Sequence, residues 1–199
     1  MDGSERLFDV VFLCTGNRFR SPIAEGLLRA ATRGLPVRVR SLGTLRIDAQ
    51  PPLDEAIELS QGLGIDISAH RSCCVDDVDL SGADLVVGFE LNHIARAVID
   101  AGADRRRTFL LGELVDFLEH IRHPHEDDVV ERASRAVEAA AALRAERAPA
   151  LPMEIADPYG RSAKEYEQVV QQIAELTGRL ARLLFQSEVP RADAAPQRG

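Results

Sequence analysis

The sequence predicts a three-layer α/β/α fold built on a four-stranded parallel sheet. Short apolar, β-branched runs alternate along the chain with longer stretches that have the apolar spacing of helices. Such alternation is typical of βα units, whose parallel strands are buried between helices on both faces. The chain has 199 residues, 45% of them hydrophobic, which is enough for one domain with its own core.

The strand and helix signals follow one another in order. "DVVFL" at 9–13 is the first predicted strand, and the helix after it is expected to start at Ser21 and Pro22 and to run to Gly34, because Ser caps helices and Pro suits the first helical position. The remaining strands are predicted at 37–41, 83–89 and 108–112. Further helices are predicted at 53–64, 91–101, 112–122, 126–147 and 162–185.

The domain organisation predicted from these signals is simple. We expect one domain over 1–188, with a helical insertion at about 113–153 whose role the sequence leaves open. The polar residues 189–199 are expected to form a flexible tail.

Composition excludes several classes of function. A net charge of -8 does not suit a surface that tracks nucleic acid. No apolar stretch is long enough to span a bilayer, and the first residues do not resemble a secretory signal. Three cysteines are too few for a disulfide scaffold and suggest reduced thiols. We therefore expect a cytoplasmic protein with no nucleic-acid or membrane partner and leave its oligomeric state open.

The stretch "CTGNRFRSP" at 14–22 joins the first strand to the first helix. A loop in this position surrounds a hollow with backbone N–H groups and the positive end of the helix dipole, and such hollows bind anions. Cys14 is expected to be a thiolate in that field, whereas Arg20 can hold two oxygens of an oxyanion through its planar fork. Gly16 permits the tight backbone that the loop needs. The alternative is that Cys14 is a small buried hydrophobe.

This stretch resembles the phosphate-binding loop (P-loop), C-x-G-N-x-C-R-S-P, of the low-molecular-weight protein tyrosine phosphatase family. The resemblance covers roughly 8–112 and 154–185, and its other motifs follow in order: "SLGT" at 41–44, "GIDISAHR" at 64–71, "ADLVVGFELNH" at 83–93 and "DPYG" at 157–160. It implies a P-loop after strand 1 and hydrolysis of phosphotyrosine in proteins, or of related phosphomonoesters. The reaction would pass through a phosphocysteine and needs no metal or other cofactor.

The resemblance also implies roles for individual residues. Cys14 is the nucleophile, Arg20 clamps the phosphoryl oxygens, and Asp157 is the general acid and then the general base. A phenolate leaves poorly at neutral pH, so a positioned proton donor in the "DPYG" loop is valuable, although the same composition also predicts a plain turn. The residues expected to bind substrate or phosphate are Thr15, Gly16, Asn17, Arg18, Phe19, Ser21 and Tyr159, with Ser41 and His70 supporting Asn17.

The chain departs from the family pattern at several places. Phe19 stands where many members have a second loop cysteine, so protection against irreversible oxidation is expected to be missing. Arg18 occupies a position that is usually apolar, and it either attracts acidic substrates or is merely solvated. The segment 45–52 carries no aromatic, which leaves Phe19 and Tyr159 as the residues to stack on a substrate ring.

Two alternative functions stay open. Arsenate reductases share the fold, but they need further thiols within reach of the nucleophile, and the adjacent Cys73 and Cys74 are interpreted as structural because neighbouring cysteines rarely form a bridge. A phosphoanion-binding module without turnover is the other alternative. Metal ligation by the histidines of "HIRHPHEDD" is conceivable, but a polar loop is favoured and no metal site is predicted: His120, His123 and His125.

Overall fold

The computed structural model describes residues 6–47, 49–123, 125–147 and 153–189. Its four strands are all parallel and lie in the order β2-β1-β3-β4, which confirms the predicted fold class. The strands are β1 (Phe8–Cys14), β2 (Val37–Gly43), β3 (Leu85–Gly88) and β4 (Thr108–Leu110). The helices are α1 (Arg20–Ala31), α2 (Asp54–Gly62), α3 (Leu91–Ile99), α4 (Leu111–His120), α5 (Val129–Glu146) and α6 (Ala163–Phe185), and 3₁₀ turns lie at Val75–Asp77 and Arg105–Arg107.

The central strand β1 divides the core into two layers. Val10, Phe12 and Cys14 point to one face, where they pack with apolar residues of α1, α4, α5 and α6. Val11 and Leu13 point to the other face, where the smaller cluster includes residues of α3 and of the 75–83 segment. This alternation follows from the period of two along a strand. The strand is therefore buried on both sides, and its carboxyl end is the part that opens toward a site.

The start of α1 differs from the prediction. The helix begins at Arg20 after Phe19, so the expected capping role of Ser21 is wrong, and Pro22 is the third helical residue rather than the first. The Ser21 hydroxyl has partners in the preceding loop instead, at 3.0 Å from Cys14 Sγ and 2.9 Å from Asn17 Nδ2. The hydroxyl of Ser21 therefore bonds to groups of the loop rather than capping the helix.

Two other element boundaries differ from the prediction by two or three residues. Helix α1 ends at Ala31, before Gly34, whose φ of +85° carries the turn into β2. Leu111 and Gly112, predicted as the end of β4, open α4 instead.

The C-terminal half contributes three helices to the larger layer. Helix α5 and all but the first two residues of α4 lie inside the segment predicted as an insertion, and α6 packs along α1 and α4. The single domain and its insertion remain predictions, and the predicted tail lies, apart from Val189, outside the described residues. Within the described ranges, no helix combines the length and apolar character required to cross a bilayer.

Candidate active site

The register of the sheet places Cys14 at the carboxyl end of β1, opposite Gly43 of β2. The backbone then leaves the sheet but stays attached to the chain after β2, because Thr44 N donates to Cys14 O at 2.9 Å and Leu45 N donates to Thr15 O at 2.9 Å. A Cβ at position 43 would lie 3.1 Å from Asn17 Cβ and from Thr15 O. The glycine of "SLGT" therefore allows β2 to lie directly against the loop.

A cavity of about 300 Å³ opens at this end of the sheet. Cys14 lies at its base with 2% of its surface exposed, and Arg20 and Asp157 contribute to the same wall. The structure therefore brings together the three residues predicted to carry chemistry. The other lining residues are Thr15, Gly16, Arg18, Phe19, Leu45, Ile47, Leu53 and Tyr159.

Asn17 holds the loop together from a fully buried position. Its Nδ2 donates to Ser21 Oγ and to Ser41 Oγ, both at 2.9 Å, and its Oδ1 accepts from Cys73 N at 3.0 Å. Its φ of +51° lies in the left-handed region, which Asn tolerates better than most residues. Ser21 Oγ lies 3.0 Å from Cys14 Sγ, so Asn17 connects Ser41 of β2, through Ser21, to the sulfur of Cys14.

A second layer of polar groups supports Asn17. Ser41 Oγ donates to Glu25 Oε2 at 2.6 Å, and His70 Nε2 donates to the carbonyl of Asn17 at 2.9 Å. Burial lowers the pKa of His70, although the Asn17 carbonyl and the Glu25 carboxylate oppose the shift. Ser41 and His70 were predicted in this position, whereas Glu25 was missed.

Arg20 is almost completely buried, with 1% of its surface exposed. Its Nη1 donates to Glu90 Oε2 at 2.9 Å and to the carbonyl of Ile155 at 2.8 Å. Its Nη2 donates to Asp157 Oδ2 at 2.5 Å and to Thr15 Oγ1 at 3.1 Å. The two carboxylates compensate the buried cation, which would otherwise be very costly. Both N–H groups of Nη1 are thus committed to the protein.

Glu90 and His93 were missed by the sequence analysis. His93 is fully buried, and its Nδ1 accepts from the backbone N–H groups of Phe89 at 3.2 Å and Glu90 at 3.0 Å. Burial and the nearby positive charge of Arg20 lower the pKa of His93 to about 3, so its ring is neutral at physiological pH. The spacing E-x-x-H directly after β3 was the available signal, because ligands bind beyond strand ends.

The rim of the cavity differs from the expectation in one respect. Phe19 is 4% exposed and its ring packs edge-on against Tyr166 of α6, with ring centroids 4.9 Å apart. Its ring is thus engaged in the core, whereas Tyr159 is 71% exposed and is available to contact a substrate ring. Arg18 Nε donates to the carbonyl of Pro51 at 2.7 Å, which anchors this side chain at the rim.

The other thiols and the histidine-rich segment lie outside the cavity. Cys73, which is exposed, and Cys74, which is buried, do not line the cavity of Cys14. Among the residues that the structure describes, no three His, Cys, Asp or Glu side chains are grouped as a metal site would require.

Asn17 allows a test of the loop's construction. We expect Asn17→Gly to lower the free energy of unfolding by about 2–3 kcal/mol, because three buried hydrogen bonds lose a partner. Asn17→Ala should cost roughly 1 kcal/mol more, because alanine is strained at positive φ. Urea unfolding measures both values. Asn92→Ala, at an exposed helical position, is the control and should change stability by less than about 0.5 kcal/mol. Equal losses for Gly and Ala would contradict the strain argument.

Comparison with known proteins gives a consistent result. The family model "Low molecular weight phosphotyrosine protein phosphatase" matches residues 9–146. Among curated proteins, the chain is 30% identical over 107 residues to the low molecular weight protein-tyrosine-phosphatase Etp of Escherichia coli K12, covering 54% of this chain and 71% of Etp. It is 27% identical over 178 residues to a protein-arginine-phosphatase of Bacillus subtilis, covering 88% and 96%. The chain is also 41% identical over 78 residues to arsenate reductase 2 of Staphylococcus haemolyticus, a match that covers 39% of this chain and 56% of the reductase.

Solved structures agree with the fold. The low molecular weight protein tyrosine phosphatase of T. tengcongensis superposes with a TM-score of 0.64 at 27% identity, over 86% of this chain and 96% of its own. The arginine phosphatase YwlE, as a cysteine-to-serine mutant with a phosphorylated active-site serine, superposes with a TM-score of 0.63 at 26% identity, over 88% and 95%.

Proposed function

Since the chain belongs to the low molecular weight phosphotyrosine protein phosphatase family, we propose that it hydrolyses phosphotyrosine in cytoplasmic proteins, or related phosphomonoesters, with Cys14 as the nucleophile. The relatives that are named protein-tyrosine-phosphatases are consistent with a phosphoric monoester hydrolase. The substrate and the roles of individual side chains are the proposed part.

The observation that carries the proposal is the common cavity of Cys14, Arg20 and Asp157. A sulfur nucleophile, a cation with a planar fork and a carboxyl group are the three groups that a two-step phosphoryl transfer requires. The outer wall is apolar, with Leu45, Ile47 and Tyr159. An aromatic ring fits such a wall, and its length would bring the phosphorus down to the sulfur at the base. These features favour aryl phosphates over short alkyl phosphates.

In the first step, the Cys14 thiolate attacks phosphorus and the bond from phosphorus to the ester oxygen breaks. Protonated Asp157 donates its proton to the departing oxygen, which leaves as a neutral alcohol or phenol. Arg20 and the N–H groups of the loop stabilise the oxygens of the transferring group. The contact between Asp157 and Arg20 Nη2 in the free protein has to open, so that this N–H can pass to a phosphoryl oxygen.

In the second step, water attacks the phosphocysteine and Asp157 accepts the proton of that water. The bond between phosphorus and sulfur breaks, and the electron pair returns to Cys14 as a thiolate. Ser21 Oγ, 3.0 Å from the sulfur, would donate a hydrogen bond to that thiolate and stabilise it as a leaving group. The phosphorylated active-site serine of the YwlE mutant, which stands in for a phosphocysteine, supports an intermediate of this kind.

A phosphoarginine substrate is the second candidate. The protein-arginine-phosphatase relative matches this chain over 88% of its length, whereas the tyrosine phosphatase Etp matches 54%. With phosphoarginine, the same two steps would cleave a P–N bond instead of a P–O bond. Asp157 would then donate its proton to the guanidine nitrogen. Arsenate reduction ranks lower, because the cavity of Cys14 contains neither Cys73 nor Cys74. A module without turnover ranks lowest, since the cavity combines all three reactive groups.

The test is a parallel assay of one purified protein. Phosphotyrosine, phosphoserine and phosphoarginine peptides of the same sequence are compared with 4-nitrophenyl phosphate, and arsenate reduction is measured with thioredoxin and its reductase. We expect the highest kcat/KM for the phosphotyrosine peptide. Preference for phosphoarginine would replace the substrate assignment, and thioredoxin-dependent arsenate turnover without ester hydrolysis would overturn the phosphatase proposal.

A further inference from the structure

The hydroxyl of Thr15 has an unusual set of neighbours at the wall of the cavity. Arg20 Nη2 donates to Thr15 Oγ1 at 3.1 Å, and His93 Nε2 lies 3.1 Å from the same oxygen. A hydroxyl carries one proton and two lone pairs, so the direction of its proton depends on what its partners can accept.

The chemistry of His93 fixes the direction of its bond to Thr15. Nδ1 of His93 accepts from two backbone N–H groups, those of Phe89 and Glu90, so it carries no proton. In a neutral imidazole the proton is then on Nε2, which acts only as a donor. Neither His93 nor Arg20 can therefore accept the hydroxyl proton of Thr15. Thr15 Oγ1 therefore accepts from Arg20 Nη2 and from His93 Nε2, which also lies 3.3 Å from Glu90 Oε2, and the hydroxyl proton points away from both donors.

We propose that the Thr15 hydroxyl is an oriented hydrogen-bond donor to a bound phosphoryl oxygen, and that His93 is the positioning residue that sets this orientation. Thr15 lines the cavity together with Cys14 and Arg20, so its free proton has an oxyanion as a natural acceptor. The proposal rests on the proposed function only in that both place the phosphoryl group in this cavity. It concerns binding as well as turnover, so it can be tested when catalysis is absent.

The first test is the affinity for inorganic phosphate, measured by calorimetry. We expect Thr15→Val, which keeps the shape but removes the hydroxyl, to weaken binding about 10-fold, because a hydrogen bond to a charged group is lost. Thr15→Ser retains the hydroxyl and should stay within about 3-fold of the wild type. If Thr15→Val and Thr15→Ser bind phosphate equally well, the donor role is overturned. Failure of the wild-type protein to bind phosphate would overturn both this proposal and the proposed function.

A double-mutant cycle separates orientation from simple support of Arg20. His93→Gln should weaken phosphate binding in the wild-type background and have little further effect in Thr15→Val, because the hydroxyl that it orients is already gone. Additive losses would overturn the positioning role. Should His93→Gln fail to fold, ¹⁵N NMR of the His93 ring in the wild-type protein decides the same point. A proton on Nε2 is expected, and a proton on Nδ1 would overturn the orientation argument.

A structure with vanadate bound tests the contact directly. Thr15 Oγ1 should lie within hydrogen-bond distance, below about 3.0 Å, of a vanadate oxygen. A bound vanadate whose oxygens all lie beyond about 3.5 Å from Thr15 Oγ1 would overturn the proposal even if Thr15→Val weakens binding. If phosphate binds as expected but no ester is hydrolysed, the proposed function fails while this proposal stands.

Discussion

Cys14→Ser is expected to lower kcat for 4-nitrophenyl phosphate by about 10⁴-fold or more, because a serine hydroxyl at this position has no base to ionise it. Phosphate binding should persist, since the cavity and the guanidinium of Arg20 remain. Steady-state kinetics and calorimetry on the same preparation measure the two quantities. Substantial turnover by the serine variant would rule out Cys14 as the nucleophile.

The matched control for this variant is Cys73→Ser. The side chain of Cys73 is exposed and lies outside the cavity, and the substitution keeps the backbone N–H that donates to Asn17. We expect kcat and KM within about 2-fold of the wild type. A large loss in this control would show that replacing a thiol in this region disturbs the loop as a whole. The loss of activity in Cys14→Ser could then not be assigned to the missing nucleophile.

Asp157→Asn is expected to separate substrates according to their leaving groups. For phenyl phosphate, kcat/KM should fall by about 10²–10⁴-fold, because the phenolate departs without a proton. For 2,4-dinitrophenyl phosphate, whose leaving group is stable as an anion, the loss should be about 10-fold or less. The ratio kcat/KM is the appropriate measure because it includes only steps up to departure of the leaving group. An equal loss for both substrates would exclude the general-acid role.

Asp157→Asn lowers kcat/KM, but it should not lower the affinity for phosphate. In the free protein the carboxylate contacts Arg20 Nη2 at 2.5 Å and competes with an incoming anion. Its removal should therefore leave phosphate affinity unchanged or raise it, a result that a merely damaged site would not give. Asp54→Asn is the control, because this exposed carboxylate follows the lining residue Leu53 and should leave kcat/KM within about 2-fold.

The sequence was sufficient for the sheet and for the part of the site that is local in the chain. Short apolar runs predicted β1, β3 and β4, because a strand buried on both faces has a strong composition signal, and the alternation of apolar and polar residues predicted β2. Cys14 and Arg20 are six residues apart in one strand–loop–helix unit, so their common cavity followed from backbone geometry. Ser21 was misassigned as a cap, since local propensity could not reveal its bonds near Cys14 and Asn17.

The remaining parts of the site depend on long-range contacts. Asp157 is 137 residues from Arg20, so it was placed through resemblance and not through spacing. Glu90 and His93 contact Arg20 and Thr15 across 70 and 78 residues and were missed. No periodicity encodes such pairs, because they arise only when β1 and β3 become neighbours in the sheet.

The edge-on contact between Phe19 and Tyr166 joins the loop after β1 to the last helix of the fold, so the cavity of Cys14 cannot be transferred as one continuous segment. A design that transplanted residues 9–146 alone would carry over Cys14 and Arg20, but would leave behind Asp157 and the ring of Tyr166, which packs against the loop from α6.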